Sequence, residues 1–106
     1  MGKSIKGTLT EQNLLKAFAG ECQRKNRYEF FAEKAKAEGY EQIAAIFEKT
    51  ALQEQSHAKQ FFKFMEGGAV EIKTSYTTGI ADQTIDNLKV SINEEKNGWL
   101  IFSCPF

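Results

Sequence analysis

A chain of 106 residues is long enough for one domain, and its 14 basic and 14 acidic side chains give a formal net charge of zero. This balance, and the lack of a basic patch with interleaved aromatic residues, argues against a nucleic-acid-binding protein. No apolar run reaches the roughly 18 residues of a membrane-spanning helix, and residues 1–6 lack the apolar core of a signal peptide, so we expect a cytoplasmic protein.

The first predicted element is a helix that begins with a capping-box pattern, Thr8 followed three residues later by Glu11, and runs to about Glu38. Side chains that recur at steps of three and four residues share one face of a helix, and an apolar series of this kind faces a packing partner. On this helix the series is Leu14, Phe18, Glu21, Lys25, Tyr28, Ala32 and Ala35. The sequence therefore places the Glu21 carboxylate on the buried face, with Lys25 as a helix-stabilising ion-pair partner four residues later.

A second helix is predicted from about Tyr40 to Glu66, between Gly39, which is a natural helix stop, and the pair Gly67-Gly68. Its inward series is Ile43, Phe47, Thr50, Glu54, His57, Phe61 and Phe64. This series contains a Glu-x-x-His element, and His57 is the only histidine of the chain. Two kinds of potential metal ligand are therefore expected on the inward face.

An antiparallel hairpin of these two helices would bring three polar side chains together. Glu21 and His57 are equally distant from the turn along the chain, and Glu54 is one turn closer, so at a rise of about 1.5 Å per residue they lie at similar heights. A Glu or His on such a face is more often a hydrogen-bonded core or rim residue than a ligand. Here two carboxylates and an imidazole coincide among large apolar residues, where an uncompensated charge costs several kcal/mol. Because a metal ion would remove that cost, we interpret the three residues as metal ligands.

After the second helix, Val70 and Ile72 among polar residues predict an extended crossover. A third helix is expected to begin near Asp82, and it carries the inward series Ile85, Leu88, Ile92, Glu95 and Trp99. This series again contains a carboxylate. Asn97-Gly98 then interrupts the helical pattern, and the end of the chain is apolar and strand-like. We expect one domain over 1–95 and a divergent tail over 96–106.

The residues that carry a family resemblance are distributed over both hairpin helices. They are Lys6-Gly7-Thr8, Thr10-Glu11, Ala17-Phe18-Ala19-Gly20-Glu21, Asn26-Arg27-Tyr28, Phe31-Ala32, Ala35, Glu38-Gly39-Tyr40-Glu41-Gln42-Ile43, Ile46-Phe47 and the segment from Glu54 to Gly68. In order and spacing they resemble the N-terminal half of the rubrerythrins. The resemblance implies a ferritin-like four-helix bundle with a non-haem diiron site that reduces hydrogen peroxide. The implied metal ligands are Glu21, Glu54, His57 and Glu95. Tyr28 matches a tyrosine beside the site, and an ordinary core aromatic is the alternative.

The chain also departs from the family pattern. Gly98 stands where a second carboxylate of the third helix is expected, and Ser103 stands where a tyrosine follows. A fourth helix and the Cys-x-x-Cys pairs of a rubredoxin domain have no counterpart. The two cysteines, Cys22 and Cys104, predict neither a disulfide framework nor a sulfur-ligated metal. We therefore interpret the chain as a truncated ferritin-like domain.

The expected fold is all-α, a long antiparallel helical hairpin plus a partial third helix, which completes a ferritin-like four-helix bundle by dimerisation. Without a partner chain, four aromatic side chains are expected to face water: Phe18, Phe47, Phe61 and Phe64. Two copies of the three-ligand set would hold two iron ions, with manganese or zinc as alternatives. In this arrangement Glu95 would lie outside the bundle.

Three functions agree with these features. The first is a rubrerythrin-type peroxidase that reduces hydrogen peroxide at a site shared between two chains and receives electrons from an external rubredoxin-like donor. The second is iron binding or storage without turnover. The third is a metal-free, self-associating remnant, and the retained ligands favour a bound metal over this third function.

Overall fold

The computed structural model describes residues 3–76 and 83–96, with side chains up to Ile92 in the second range. It contains three α-helices, α1 (Leu9–Ala37), α2 (Glu41–Phe62) and α3 (Thr84–Lys96). α1 and α2 pack along each other as a hairpin, and α3 contacts α1. The two described ranges contain no β-strand, so the prediction of an all-α fold with a long hairpin and a third helix is confirmed. Dimerisation stays a prediction. The tail was predicted over 96–106; Lys96 is the last residue of α3, and the rest of the predicted tail lies outside the described residues.

α1 begins at the predicted capping box. The Glu11 backbone N–H donates to the Thr8 hydroxyl at 3.2 Å, and the Glu11 carboxylate accepts from the Gly7 N–H at 2.9 Å. Lys6 Nζ lies 3.1 Å from the same carboxylate. The Gly7 hydrogen bond, followed by the Lys6 side chain, lowers the pKa of Glu11 below its ordinary value. These local bonds satisfy amide groups that the start of a helix leaves without a partner.

The hairpin tip is built around Gly39, whose φ of 85° lies in the left-handed region that favours glycine. The Tyr40 N–H donates to the Ala35 carbonyl at 2.8 Å, and the Gly39 N–H donates to the Lys36 carbonyl at 3.0 Å. These two bonds form a Schellman motif, which terminates α1 and lets the chain reverse. The predicted helix stop is therefore the turn of the hairpin.

α2 ends at Phe62, about one turn before Glu66, where the sequence placed its end. The Phe64 N–H donates to the Phe61 carbonyl at 3.1 Å, so the hydrogen bonds shorten from four residues to three as the helix finishes. The prediction was too long because Gly67-Gly68 is the first breaker that the sequence shows, whereas the tertiary structure recruits Glu66 for another contact.

That contact fastens the N-terminal segment to the end of α2, and we call it the N-terminal clasp. The Glu66 carboxylate accepts from the Ser4 hydroxyl at 2.6 Å and from the Ile5 N–H at 3.1 Å. Lys6 Nζ donates to the Gly67 carbonyl beside it. The Ser4 hydrogen bond, followed by that of Ile5, lowers the pKa of Glu66. The clasp thus joins the open end of the hairpin, opposite the tip.

The core lies between α1 and α2. Its buried apolar residues are Tyr28, Phe31, Ala32, Ala35, Ala44, Phe47, Ala51, Ala58 and Phe61. The Phe47 ring lies 5.5 Å from the Phe31 ring in an edge-on arrangement and 6.0 Å from the Tyr28 ring in a stacked one.

None of the helices in 3–76 and 83–96 combines the length and apolar character needed to cross a bilayer. The cytoplasmic location stays a prediction.

Two of the four aromatic residues that we expected to face water in a single chain are buried. Phe47 and Phe61 retain only 4% and 3% of their exposure. Phe18 is half-buried, with its ring 5.5 Å from that of Phe62, and Phe64 is exposed. The expectation was wrong for Phe47 and Phe61 because alanines on the inner face of α2 let α1 approach closely enough to cover both rings.

The segment that follows α2 is described as far as Tyr76, which contacts α1. Residues 69–76 form neither helix nor strand, and the Tyr76 hydroxyl donates to the Lys16 carbonyl at 3.4 Å. α3 is held at the hairpin tip by Glu38, whose Oε1 accepts from the Thr84 hydroxyl at 2.6 Å and from the Thr84 N–H at 2.8 Å. The side-chain bond, followed by the backbone bond, lowers the pKa of Glu38. A carboxylate at this helix start also complements the helix dipole.

Replacement of Glu38 by alanine is expected to loosen the first turns of α3, because it removes both hydrogen bonds to Thr84. Since the pKa of Glu38 is lowered in the folded chain, its contribution is present above the ordinary carboxyl range and is lost as the pH falls through the lowered pKa. Amide hydrogen exchange in α3 should therefore be faster in Glu38→Ala than in the wild type, and exchange in α1 should be the same in both. Glu33→Ala, which removes an exposed glutamate of α1, is the control. Unchanged exchange of α3 in Glu38→Ala would contradict this attachment.

Candidate metal centre

Three of the predicted ligand side chains meet within the hairpin. Glu21 projects from α1, and Glu54 and His57 project from α2. One potential ligand atom of each lies within 4.8 Å of the others. Glu21 and Glu54 are buried, with exposures of 1% and 4%, and the His57 side chain is 26% exposed. The structure brings these residues together, and their role as ligands stays a prediction.

Helix geometry explains why they converge. Glu54 and His57 are three residues apart and therefore share one face of α2. The buried residues Ala51 and Ala58 lie on the same side of this helix, and their small side chains let α1 come close. Glu21 thus faces α2 from a position where it reaches both partners. Glu21 and His57 are the same number of residues from Gly39, so they lie at similar heights along the hairpin.

Arg24 also belongs to the site, and the sequence did not reveal it. Its Nη2 atom lies 2.8 Å from Glu21 Oε1 and 3.1 Å from Glu54 Oε2. The Arg24 side chain is only 3% exposed, so the guanidinium is a buried cation between two buried carboxylates. Its position three residues after Glu21 is the one available signal, since residues at this spacing are neighbours on a helix.

The sequence had instead assigned Lys25 as the partner of Glu21, and this assignment is wrong. Lys25 Nζ lies 3.0 Å from Glu29 Oε1, on the outer side of α1. Spacings of three and four residues both place a cation beside Glu21. Contact with α2 distinguishes the two cations, because Arg24 also reaches Glu54, whereas Lys25 pairs with Glu29. The position of a neighbouring helix is not encoded in the spacing along α1.

Glu21 Oε2 and His57 Nδ1 are buried atoms without a hydrogen-bond partner among the described residues, and they lie 3.4 Å apart. A buried polar atom without a partner costs about 1–3 kcal/mol. A divalent cation contacted by both atoms would remove this cost, and carboxylate oxygen and imidazole nitrogen are donors that suit iron, manganese and zinc. The residues present therefore fit a metal ion.

Cys22 follows Glu21 directly but is a poor ligand candidate. Burial, followed by the negative charge of Glu21, raises the pKa of the Cys22 thiol. Metal ligation by cysteine requires the thiolate, which this environment disfavours. The donors that converge on the site are therefore oxygen and nitrogen.

Tyr28 and Glu95 are the other predicted site residues. Tyr28 is 3% exposed, and its ring centroid lies 6.0 Å from those of Phe31 and Phe47. This environment agrees with the alternative of a core aromatic, and a role beside the metal stays a prediction. Glu95 lies within α3, but its side chain is outside the described residues, so its ligand role also stays a prediction.

The rubrerythrin family profile matches residues 12–97, which include all three clustered residues. A rubrerythrin of Porphyromonas gingivalis is 54% identical over 99 residues, which cover 93% of this chain and 50% of that protein. A rubrerythrin of Nitratidesulfovibrio vulgaris is 52% identical over 84% of this chain and 47% of its own length, and one of Clostridium perfringens is 47% identical over 88% and 50%. The chain thus spans about half the length of these curated relatives. Since the matched region contains both hairpin helices and their converging side chains, the chain belongs to the rubrerythrin family.

Proposed function

We propose that this chain is a non-haem iron protein of the rubrerythrin type, in which two chains share a diiron site that reduces hydrogen peroxide. The observation that carries the proposal is the convergence of Glu21, Glu54 and His57, with ligand atoms within 4.8 Å of one another. Family membership supports iron as the metal, and manganese and zinc fit the same donors.

The described side chains provide half of the donor set that a dimetal carboxylate centre uses. α1 supplies one glutamate, Glu21, and α2 supplies one Glu-x-x-His element, Glu54 and His57. In ferritin-like centres each of these two contributions occurs twice. Because a twofold axis repeats every contact, a pair of hairpins would supply four carboxylates and two imidazoles. This count supports a site shared between two copies of the chain.

Exposed apolar side chains on the hairpin support the same pairing. Phe30 of α1 and Leu52 of α2 are 61% and 65% exposed, and they line one cleft between the helices. Ile46 of α2 is exposed as well. Full burial of a side chain of this size contributes about 1.5–3 kcal/mol. A second hairpin seated on this cleft would remove Phe30 and Leu52 from water.

When bound, the two iron ions would supply the electrons that convert peroxide to water. The carboxylates of Glu21 and Glu54 would offset the charge of the ions in a site from which water is largely excluded. His57 would contribute a neutral donor, and its 26% exposure would leave an opening through which a molecule as small as peroxide can enter. Tyr28, two turns from Glu21 on α1, is the proposed hydroxyl donor to a ligand carboxylate. A separate rubredoxin-like protein would restore the electrons.

Iron content and solution mass, measured on the same anaerobic sample, test the shared site. We expect one iron per chain and the sedimentation mass of a dimer, because two chains would share two ions. Leu52→Lys should dissociate the dimer and release iron, since a charge would enter the proposed interface. Ile85→Lys changes an exposed apolar residue of α3 and is the matched control. A stable monomer that retains one iron per chain would contradict the shared site.

A further inference from the structure

Arg24 contacts the same two carboxylates, Glu21 and Glu54, that are the proposed metal ligands. A single nitrogen, Nη2, contacts one oxygen of Glu21 at 2.8 Å and one of Glu54 at 3.1 Å. These carboxylates belong to different helices, so the guanidinium bridges α1 and α2. The other Glu21 oxygen faces His57 Nδ1. On one side of the cluster the Arg24 guanidinium contacts both carboxylates, and on the other side Glu21 Oε2 faces the His57 imidazole.

The charge of Arg24 cannot be relieved by loss of a proton, because the guanidinium stays protonated at any pH at which proteins are folded. With 3% exposure, its charge is also poorly screened by solvent. A divalent ion held by Glu21, Glu54 and His57 would lie about 2.0–2.2 Å from a carboxylate oxygen and therefore next to this guanidinium. Two cations at such a distance repel each other strongly in a buried site.

We infer that Arg24 is an internal counter-ion that competes with the metal for Glu21 and Glu54. Metal entry requires the guanidinium to leave the position between the carboxylates, and Arg24 thereby sets the metal affinity of the centre. This inference rests on the proposed metal-binding function. It also means that the metal-free hairpin is stabilised by its own ion pairs, so that the chain folds before it is loaded.

Anaerobic titration of the full chain with Fe²⁺ tests the competition. Arg24→Gln removes the charge but keeps a side chain of moderate length, and we expect it to bind Fe²⁺ about tenfold more tightly than the wild type. The same variant should melt at a lower temperature than the wild type when both are metal-free. Arg27→Gln is the matched control, because Arg27 lies one turn further on, over the Phe31 ring at 5.5 Å. Its affinity for Fe²⁺ is expected to be unchanged.

A second measurement uses the wild type, so it does not depend on the stability of a variant. The chain has two arginines, Arg24 and Arg27, so their side-chain NMR signals can be assigned one against the other. In the metal-free protein the ion-paired guanidinium of Arg24 should rotate slowly about its Cζ–Nε bond. Saturation with diamagnetic Zn²⁺ should shift this signal and speed the rotation, while the signal of Arg27 changes little.

The outcomes separate this inference from the proposed function. If the wild type binds Fe²⁺ and Arg24→Gln binds it with equal or lower affinity, the competition is overturned and the proposed metal centre is retained. An unchanged Arg24 signal at stoichiometric Zn²⁺ binding would lead to the same conclusion. Failure of both the wild type and Arg24→Gln to bind either metal would overturn the metal centre and, with it, the inference.

Discussion

Replacement of His57 by alanine is expected to remove most of the bound iron and to weaken Fe²⁺ binding by at least about 100-fold, since even the outer partners of metal ligands contribute 10–100-fold. Glu54→Ala should have a similar effect, because both side chains face the same volume as Glu21. Elemental analysis after anaerobic loading measures the loss, and circular dichroism shows whether the helices persist.

The two substitutions differ in their expected effect on folding. His57 is partly exposed, so its removal should leave the hairpin intact. Glu54→Ala breaks a buried ion pair with Arg24, which costs about 3–5 kcal/mol when one partner is removed. His57→Ala is therefore the cleaner test of ligation. The control is Glu41→Ala, because Glu41 is an exposed glutamate of α2 outside the proposed interface. Full metal occupancy in both His57→Ala and Glu54→Ala would show that the ligand assignment is wrong.

The reduced, iron-loaded protein is expected to react rapidly with hydrogen peroxide and more slowly with oxygen. Peroxide accepts two electrons, which matches two ferrous ions in one shared site. Without an added electron donor, the reaction should stop after about one peroxide per metal pair. A rubredoxin-like donor should then restore turnover. Stopped-flow mixing of the anaerobic ferrous protein with peroxide measures the first event directly.

His57→Ala and Glu41→Ala provide the comparison for this reaction. The first should lose the fast optical change together with its iron, and the second should retain it. Equal rates for the wild type and His57→Ala, or no fast change in the wild type, would leave iron storage or a metal-free role as the remaining functions. Oxidation that continues past one peroxide per pair without a donor would contradict the proposed need for an external reductant.

Much of the hairpin could be predicted because its signals are local. The capping box of Thr8 and Glu11 and the left-handed turn at Gly39 each depend on residues within about one helical turn. The relative heights of Glu21 and His57 require only the rise per residue and the position of the turn. These features can therefore be predicted from the sequence alone.

The rotation of each helix about its own axis could be predicted less well from the sequence. In α2 the sequence placed Ile43 on the inward face. The structure buries the neighbouring Ala44 completely and leaves Ile43 half-buried, because close approach of α1 favours the smaller side chain. Arg24 was missed for a related reason. Its second partner is on the other helix, and no spacing within α1 shows it.

The N-terminal clasp has a consequence for how the hairpin opens. The bond from the Ile5 N–H to Glu66 joins residues that are 61 positions apart, and it connects the segment before α1 to the segment after α2. The clasp therefore opposes independent fraying of the two neighbouring helix ends, and we expect these ends to open as one cooperative unit. The converging side chains lie between this unit and the turn at Gly39. End fraying, the commonest local fluctuation of a helix pair, is thereby kept away from the residues that would hold the metal.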